Sequence, residues 1–144
     1  MEEKNVNGYL FSTDKSKLQL DVIYNYLNKE SYWAQNIPME IVKKSAEGSL
    51  CFGIYIEGKQ IGYARMVTDT ATFAYLADVF VLEPHRGKGL SKELMRFIMS
   101  HPNLQGLRRM MLATKDAQGL YKQFGFNHLA MPERIMEIKF FETY

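Results

Sequence analysis

Two glycines flanked by cations, in Arg86-Gly87-Lys88-Gly89-Leu90-Ser91, are the residues of this chain best suited to holding a ligand. An apolar run, Phe73 to Leu82, precedes them. A stretch from Leu90 to Met99 follows, with Leu94, Phe97 and Ile98 on one helical face. That order reads as strand, loop, helix. Glycine lets a backbone turn sharply and lie close to a ligand. The first amides of a helix have no partner within it, and the helix dipole favours an anion beside them. Arg86 and Lys88 add positive charge. The chemistry on offer is the binding of a di- or polyphosphate. Two common phosphate motifs do not fit. The P-loop needs a Lys-Ser or Lys-Thr pair after its second glycine, where this chain has Leu90-Ser91. The dinucleotide pattern needs a third glycine where Lys92 stands.

Asp78 is the only carboxylate inside the apolar run. A buried carboxylate has a raised pKa and can serve as a base. A hydrogen-bonded structural aspartate fits the same pattern equally well. Cys51 lies in an apolar segment and reads as a small buried hydrophobe. As the only cysteine, it excludes an intramolecular disulfide and a cysteine-cluster metal site. His85, His101 and His128 have no metal-ligand spacing.

The elements that must position these residues follow from periodicity. The spacing predicts a strand over Gly8–Thr13, a helix carrying Leu18, Val22, Ile23, Tyr26 and Leu27, and a loop at Ser31-Tyr32-Trp33. A second helix runs from Pro38 toward Gly48. Leu50–Ile56 and Gln60–Val67 form a hairpin around Glu57-Gly58-Lys59. After the loop and its helix come a strand at Met110–Thr114, a short helix over Ala117–Phe124 closed by Gly125, and a last strand at Ile135–Phe141. The order is that of an α+β protein, and residues 1–144 read as one domain. The chain is 47% hydrophobic, enough for a core, and has no apolar run near the roughly 20 residues of a membrane span. Its N-terminus is polar and unlike a secretory signal, so a cytoplasmic protein is expected. A net charge of +2 gives little support to nucleic-acid binding through Arg86, Lys88, Arg108 and Arg109.

The loop, placed directly after a V-x-V strand end, resembles the acetyl-CoA loop of the GNAT superfamily of N-acetyltransferases, Q/R-x-x-G-x-G/A. Its leading position departs from the pattern, because Pro84 stands there. Gly119-Leu120-Tyr121-Lys122-Gln123-Phe124-Gly125-Phe126 resembles the family's L-Y-x-x-x-G-F signature, at the family's distance downstream. The resemblance covers nearly the whole chain. It implies a central mixed, splayed β-sheet flanked by helices, with acetyl-CoA as donor and an amine as acceptor. No metal is required.

The resemblance also implies roles. The pyrophosphate would sit on Arg86, Gly87, Lys88, Gly89, Leu90 and Ser91, and the backbone of Val79, Phe80 and Val81 would pair with the pantetheine arm. Tyr121 would assist the departing thiolate as a general acid. Thr114 stands where many members carry a cofactor-binding Asn. Asp78, or a water near Tyr75, would take the amine's proton. Tyr32 and Trp33 would line the acceptor pocket. A small-molecule primary amine is the expected acceptor, attacking directly in a ternary complex, and a homodimer is common in the family. The rival reading is a non-catalytic acyl-CoA-binding or regulatory module.

Overall fold

The computed structural model describes residues 1–144. Six strands form one open sheet in sequence order: β1 (Glu3–Val6), β2 (Tyr9–Ser12), β3 (Leu50–Ile56), β4 (Lys59–Thr68), β5 (Phe73–Val81) and β6 (Arg109–Leu112). Strands β1 to β5 run antiparallel, and β6 lies parallel to β5. The helices are α1 (Leu20–Asn25), α2 (Met39–Glu47), α3 (Leu90–Met99) and α4 (Gln118–Lys122). A wider π turn over Tyr26–Glu30 prolongs α1. The α+β class and the mixed sheet flanked by helices are as expected.

Strand alternation builds two apolar layers, one on each side of the sheet. Phe52, Ile54, Met66 and Leu76 pack against Leu94, Met95 and Ile98 of α3. Their neighbours Cys51, Tyr63 and Phe80 face the other way, against Ile23 and Leu27 of the first helix and Val42 of α2. Cys51 is a buried free thiol, as its segment implied.

Three sequence expectations need correction. The sheet begins with a strand that was not expected. Asn7 and Gly8 both have positive φ, 50° and 86°, and turn β1 into β2 as a two-residue hairpin. Strand β6 stops at Leu112, so Ala113 and Thr114 leave the sheet. The last strand, Ile135–Phe141, does not form within the chain. No backbone-to-backbone hydrogen bond involves residues 136–144, and Met136, Ile138 and Phe140 are largely exposed. Apolar alternation gives a segment strand propensity but does not supply the neighbouring strand that would satisfy its amides.

Candidate active site

Two local irregularities open the sheet at β5. The β5–β6 ladder runs from Phe73↔Arg109 to Leu76↔Leu112 and ends there. From Ala77 to Val81, β5 keeps β4 on one side and has no strand on the other. This is the expected splay, and it leaves one backbone edge of Val79–Val81 unpaired by any strand. The second irregularity is a bulge. Tyr63 pairs with Phe80 and Arg65 with Ala77, so β5 carries one more residue than β4 across this span. Asp78 takes up the difference at φ 54°. Aspartate is among the few side chains that tolerate this left-handed region.

The bulge aims Asp78 at two partners. Arg65 Nε donates to Asp78 Oδ2 at 2.6 Å, and Trp33 Nε1 donates to Asp78 Oδ1 at 2.7 Å. Arg65 Nη1 also donates to Ser49 Oγ at 3.3 Å. Both carboxylate oxygens are therefore engaged, and the Asp78 side chain is only 7% exposed. The residue expected to be a base or a relay sits in an ion pair that ties β4, β5 and the Tyr32-Trp33 loop together.

Around this pair lies a cavity of about 620 Å³. It brings together Tyr32, Trp33, Tyr75, Asp78, Val79, Thr114 and Tyr121, seven of the residues singled out from sequence. Phe80 does not reach it. Its ring is buried on the opposite face, stacked on Tyr26 with centroids 4.2 Å apart. Tyr32 does more than line the wall. Its hydroxyl accepts from the Lys115 amide at 2.9 Å, and the Lys115 ammonium lies 5.4 Å from its ring centroid. It thereby holds the segment between β6 and α4. Thr114 Oγ1 accepts from the Ala117 amide at 3.1 Å and shapes the same turn.

Tyr121 enters the cavity from α4. Gly125, at φ 98°, lets the chain fold back so that the Phe126 amide donates to the Tyr121 carbonyl at 3.2 Å. The Phe126 ring then meets Tyr121 edge-on, centroids 5.9 Å apart. This explains why Tyr, Gly and Phe occur at that spacing. Burial pushes the Tyr121 phenol up to about 12, with the acidic groups of Tyr32 and Asp116 adding to the rise. The group is a proton or hydrogen-bond donor throughout the neutral range.

The glycine loop lies further along β5. Gly87 and Gly89 have φ 79° and 75°, and Gly89 is the N-cap of α3 with no side chain to cap it. The amides from Gly87 to Lys92 donate to no acceptor within the chain. They face a cavity of about 310 Å³ whose lining includes Val81, Gly87, Gly89, Leu90 and Ser91. Arg86 also lines this cavity, and both flanking cations have partners within the chain. Arg86 Nε donates to the Val81 carbonyl at 2.9 Å and its Nη2 to the Tyr26 hydroxyl at 3.2 Å. Arg86 thus braces the end of β5 against the first helix. Lys88 Nζ reaches the Tyr9 hydroxyl at 3.5 Å, which His85 Nδ1 also contacts at 2.8 Å.

Sequence reasoning missed Arg65, Lys115, Asp116 and Tyr144, all of which line the central cavity. For Arg65 a signal existed. It is the one charge within Ile61–Val67, as Asp78 is within Phe73–Leu82, and two lone charges on neighbouring strands are natural partners.

An open strand edge at Val79–Val81, free amides at the start of α3 and the buried Tyr121 phenol thus lie along and beside the end of β5. Residues 20–126 match the model of the acetyltransferase (GNAT) family. The chain belongs to that family and is an acyltransferase by class. It is 34% identical to a protein of Gibberella zeae classed with the acetyltransferases, over 78% of this chain and 75% of that one. A crystal structure of a GNAT-family protein from Xanthomonas campestris pv. campestris superimposes with a TM-score of 0.91 at 47% identity, covering 94% of this chain and 95% of that one. A Clostridium acetobutylicum protein crystallised with acetyl-CoA shares the fold at 13% identity, with a TM-score of 0.67 over 91% of this chain and 94% of that one. No helix is long and apolar enough to cross a membrane.

Proposed function

We propose that this protein transfers an acetyl group from acetyl-CoA to a primary amine of a small molecule, by direct attack in a ternary complex. The observation that carries the reading is the alignment of two cavities along one stretch of β5. Val79 lines the central cavity and Val81 lines the loop cavity. A donor whose pyrophosphate rests on the amides of Gly87–Lys92 can lay its pantetheine arm along Val79–Val81. The arm's amides would pair with the open backbone edge as an added strand does. The thioester then lies beside Tyr121, and the amine approaches from the Tyr32, Trp33 and Tyr75 side.

In this reading the amine nitrogen bonds to the thioester carbonyl carbon. The carbon–sulfur bond then breaks, and Tyr121 donates its proton or a hydrogen bond to the leaving thiolate. With both oxygens of Asp78 engaged by Arg65 and Trp33, we assign the amine's proton to water near Tyr75. Asp78 acts as the positioning residue of the cleft. A cytoplasmic location is part of the same reading.

The test is release of free CoA thiol from acetyl-CoA against a panel of small amines, lysine peptides and N-terminal peptides. Acetylation of a small amine, with product mass increased by one acetyl group, is the expected result. Tight CoA binding with no release on any panel member would replace the proposal with the non-catalytic acyl-CoA-binding module.

The loop has its own test. Gly89→Val forces a β-branched side chain into the left-handed region, at a cost of roughly 1–2 kcal/mol. Restoring an ordinary φ would swing the α3 amides off the pyrophosphate. Titration calorimetry should show CoA affinity lowered about tenfold or more. Unchanged affinity would place the pyrophosphate elsewhere.

A further inference from the structure

We infer that the acceptor is an amine carrying its own anionic group, a carboxylate or a phosphate, which the Lys115 ammonium holds with help from the Arg65 guanidinium. The inference rests on the amine-transfer reading above and names the class of amine.

The charges lining the central cavity carry it. Four of those side chains are charged: Arg65, Asp78, Lys115 and Asp116. Asp78 is spent on Arg65 Nε and Trp33 Nε1. Arg65 Nη1 turns to Ser49, and its Nη2 donates to no group of the chain. Lys115 and Asp116 take part in none of the ion pairs of the molecule. The cavity therefore presents an unpaired cation and an unpaired anion, beside a guanidinium with donors to spare. Its complement is a zwitterion. A plain amine would bring its ammonium up to Lys115 with nothing to offset the repulsion.

An aromatic ring, and no carboxylate, positions Lys115. Tyr32 accepts from the Lys115 amide at 2.9 Å, and its ring centroid lies 5.4 Å from the ammonium. Tyr32 meets Trp33 edge-on at 5.0 Å, and Trp33 is hydrogen-bonded to Asp78. The ammonium is thus tied through two aromatic rings to the bulge of β5. A ring face attracts a cation without neutralising it. An anion arriving there gains a charge-assisted hydrogen bond.

The donor does not supply that anion. In the reading above its phosphates rest at the loop cavity, whose lining shares no residue with the central cavity. The pantetheine arm is uncharged until the sulfur leaves. The acceptor is the remaining source. Asp116 is close enough to Tyr121 to act on its phenol. It draws the ammonium end toward the thioester while Lys115 takes the anionic end.

The test compares acceptors in matched pairs: 4-aminobutyrate with butylamine, phenylalanine with phenethylamine, and O-phosphoethanolamine with ethanolamine. Thiol release gives kcat/KM for each, corrected for its fraction of free amine. The anionic member of at least one pair should lead by about tenfold, the worth of one charge-assisted hydrogen bond. The carboxylate and phosphate pairs tell the two anions apart. Lys115→Met keeps an apolar stem on Tyr32 and should erase the lead, whereas Lys115→Arg should keep it. The readout is a ratio within a pair, so a loss common to both members leaves it unmoved. Should Lys115→Met fail to fold, the native protein decides, because an ion-paired lead shrinks as salt is added. Neutral members turned over as well or better, a lead that survives Lys115→Met, or a lead indifferent to salt would overturn the inference. A Lys115→Met loss shared equally by both members would assign Lys115 to the leaving thiolate instead. Thiol release from no amine at all, with CoA bound, would overturn the transfer reading and this inference with it.

Discussion

Tyr121→Phe should lower kcat about a hundredfold and leave CoA affinity within about twofold of the native value, the magnitude expected of one lost acid catalyst. Removing the hydroxyl keeps the ring, so the edge-on contact with Phe126 and the fold of the L-Y-x-x-x-G-F turn survive. The loss then falls on an interaction made with the departing sulfur, and kcat and kcat/KM decline together. Steady-state kinetics against acetyl-CoA measure both. A raised KM at native kcat would make Tyr121 a packing residue of the cofactor site. The pH profile gives a second reading. The phenol works in its protonated form, so its contribution is lost as pH rises through its pKa. Burial has moved that pKa up to about 12. The native rate should therefore rise as the amine substrate deprotonates and then level off, with no fall near pH 10, where an ordinary tyrosine ionises.

Asp78→Ala should destabilise the fold by about 3 kcal/mol, near the lower end of the cost of breaking a buried ion pair. Three losses combine. Arg65, whose side chain is 20% exposed, keeps its charge without its closest partner. Trp33 Nε1 loses its acceptor. Alanine must also hold φ 54° at the bulge, which aspartate tolerates better. Partial exposure of Arg65 to water keeps the sum from being larger. Asp78→Asn retains the left-handed tolerance and an acceptor for Trp33 but turns its amide donor toward Arg65, and should cost about 2 kcal/mol. Urea unfolding with an unchanged m-value measures both. The asparagine variant also separates two roles. As a positioning residue, Asp78 can be replaced by Asn with kcat kept within about tenfold, whereas loss of the general base would cost about a hundredfold or more.

The parts of the site that could be read in the sequence are those made by neighbours along the chain. Gly87 and Gly89 before an amphipathic helix imply free amides whatever surrounds them, and the structure leaves those amides unpaired. Tyr121, Gly125 and Phe126 form one turn, so their spacing carries their geometry. The Glu57-Gly58 hairpin was legible for the same reason. The Asn7-Gly8 hairpin carried an equally strong signal, but the short polar β1 before it has little apolar alternation to mark it as a strand.

What could not be read depends on register and on partners distant in sequence. The charge of Arg86 was plain in the sequence, but its contacts with the Val81 carbonyl and the Tyr26 hydroxyl depend on the end of β5 and the first helix closing around it. Asp78 stood out as a lone carboxylate. Only a one-residue bulge between β4 and β5 turns it toward both Arg65 and Trp33. The alternation of Ile135–Phe141 suggested a strand, but a strand needs a neighbour, and no other segment of the chain pairs with it in this structure.

The sequence by itself determined the glycine loop with its free amides, the tyrosine turn and the apolar faces, because these rest on backbone conformations and periodicities set within a few residues. The tertiary structure alone decided the splay of β5 from β6, the ion pair at the centre of the cleft and the open edge beside it. Each of those depends on which strand lies next to which, and in what register, and a side chain's partner across a sheet is fixed by hydrogen bonding between segments that local chemistry does not connect.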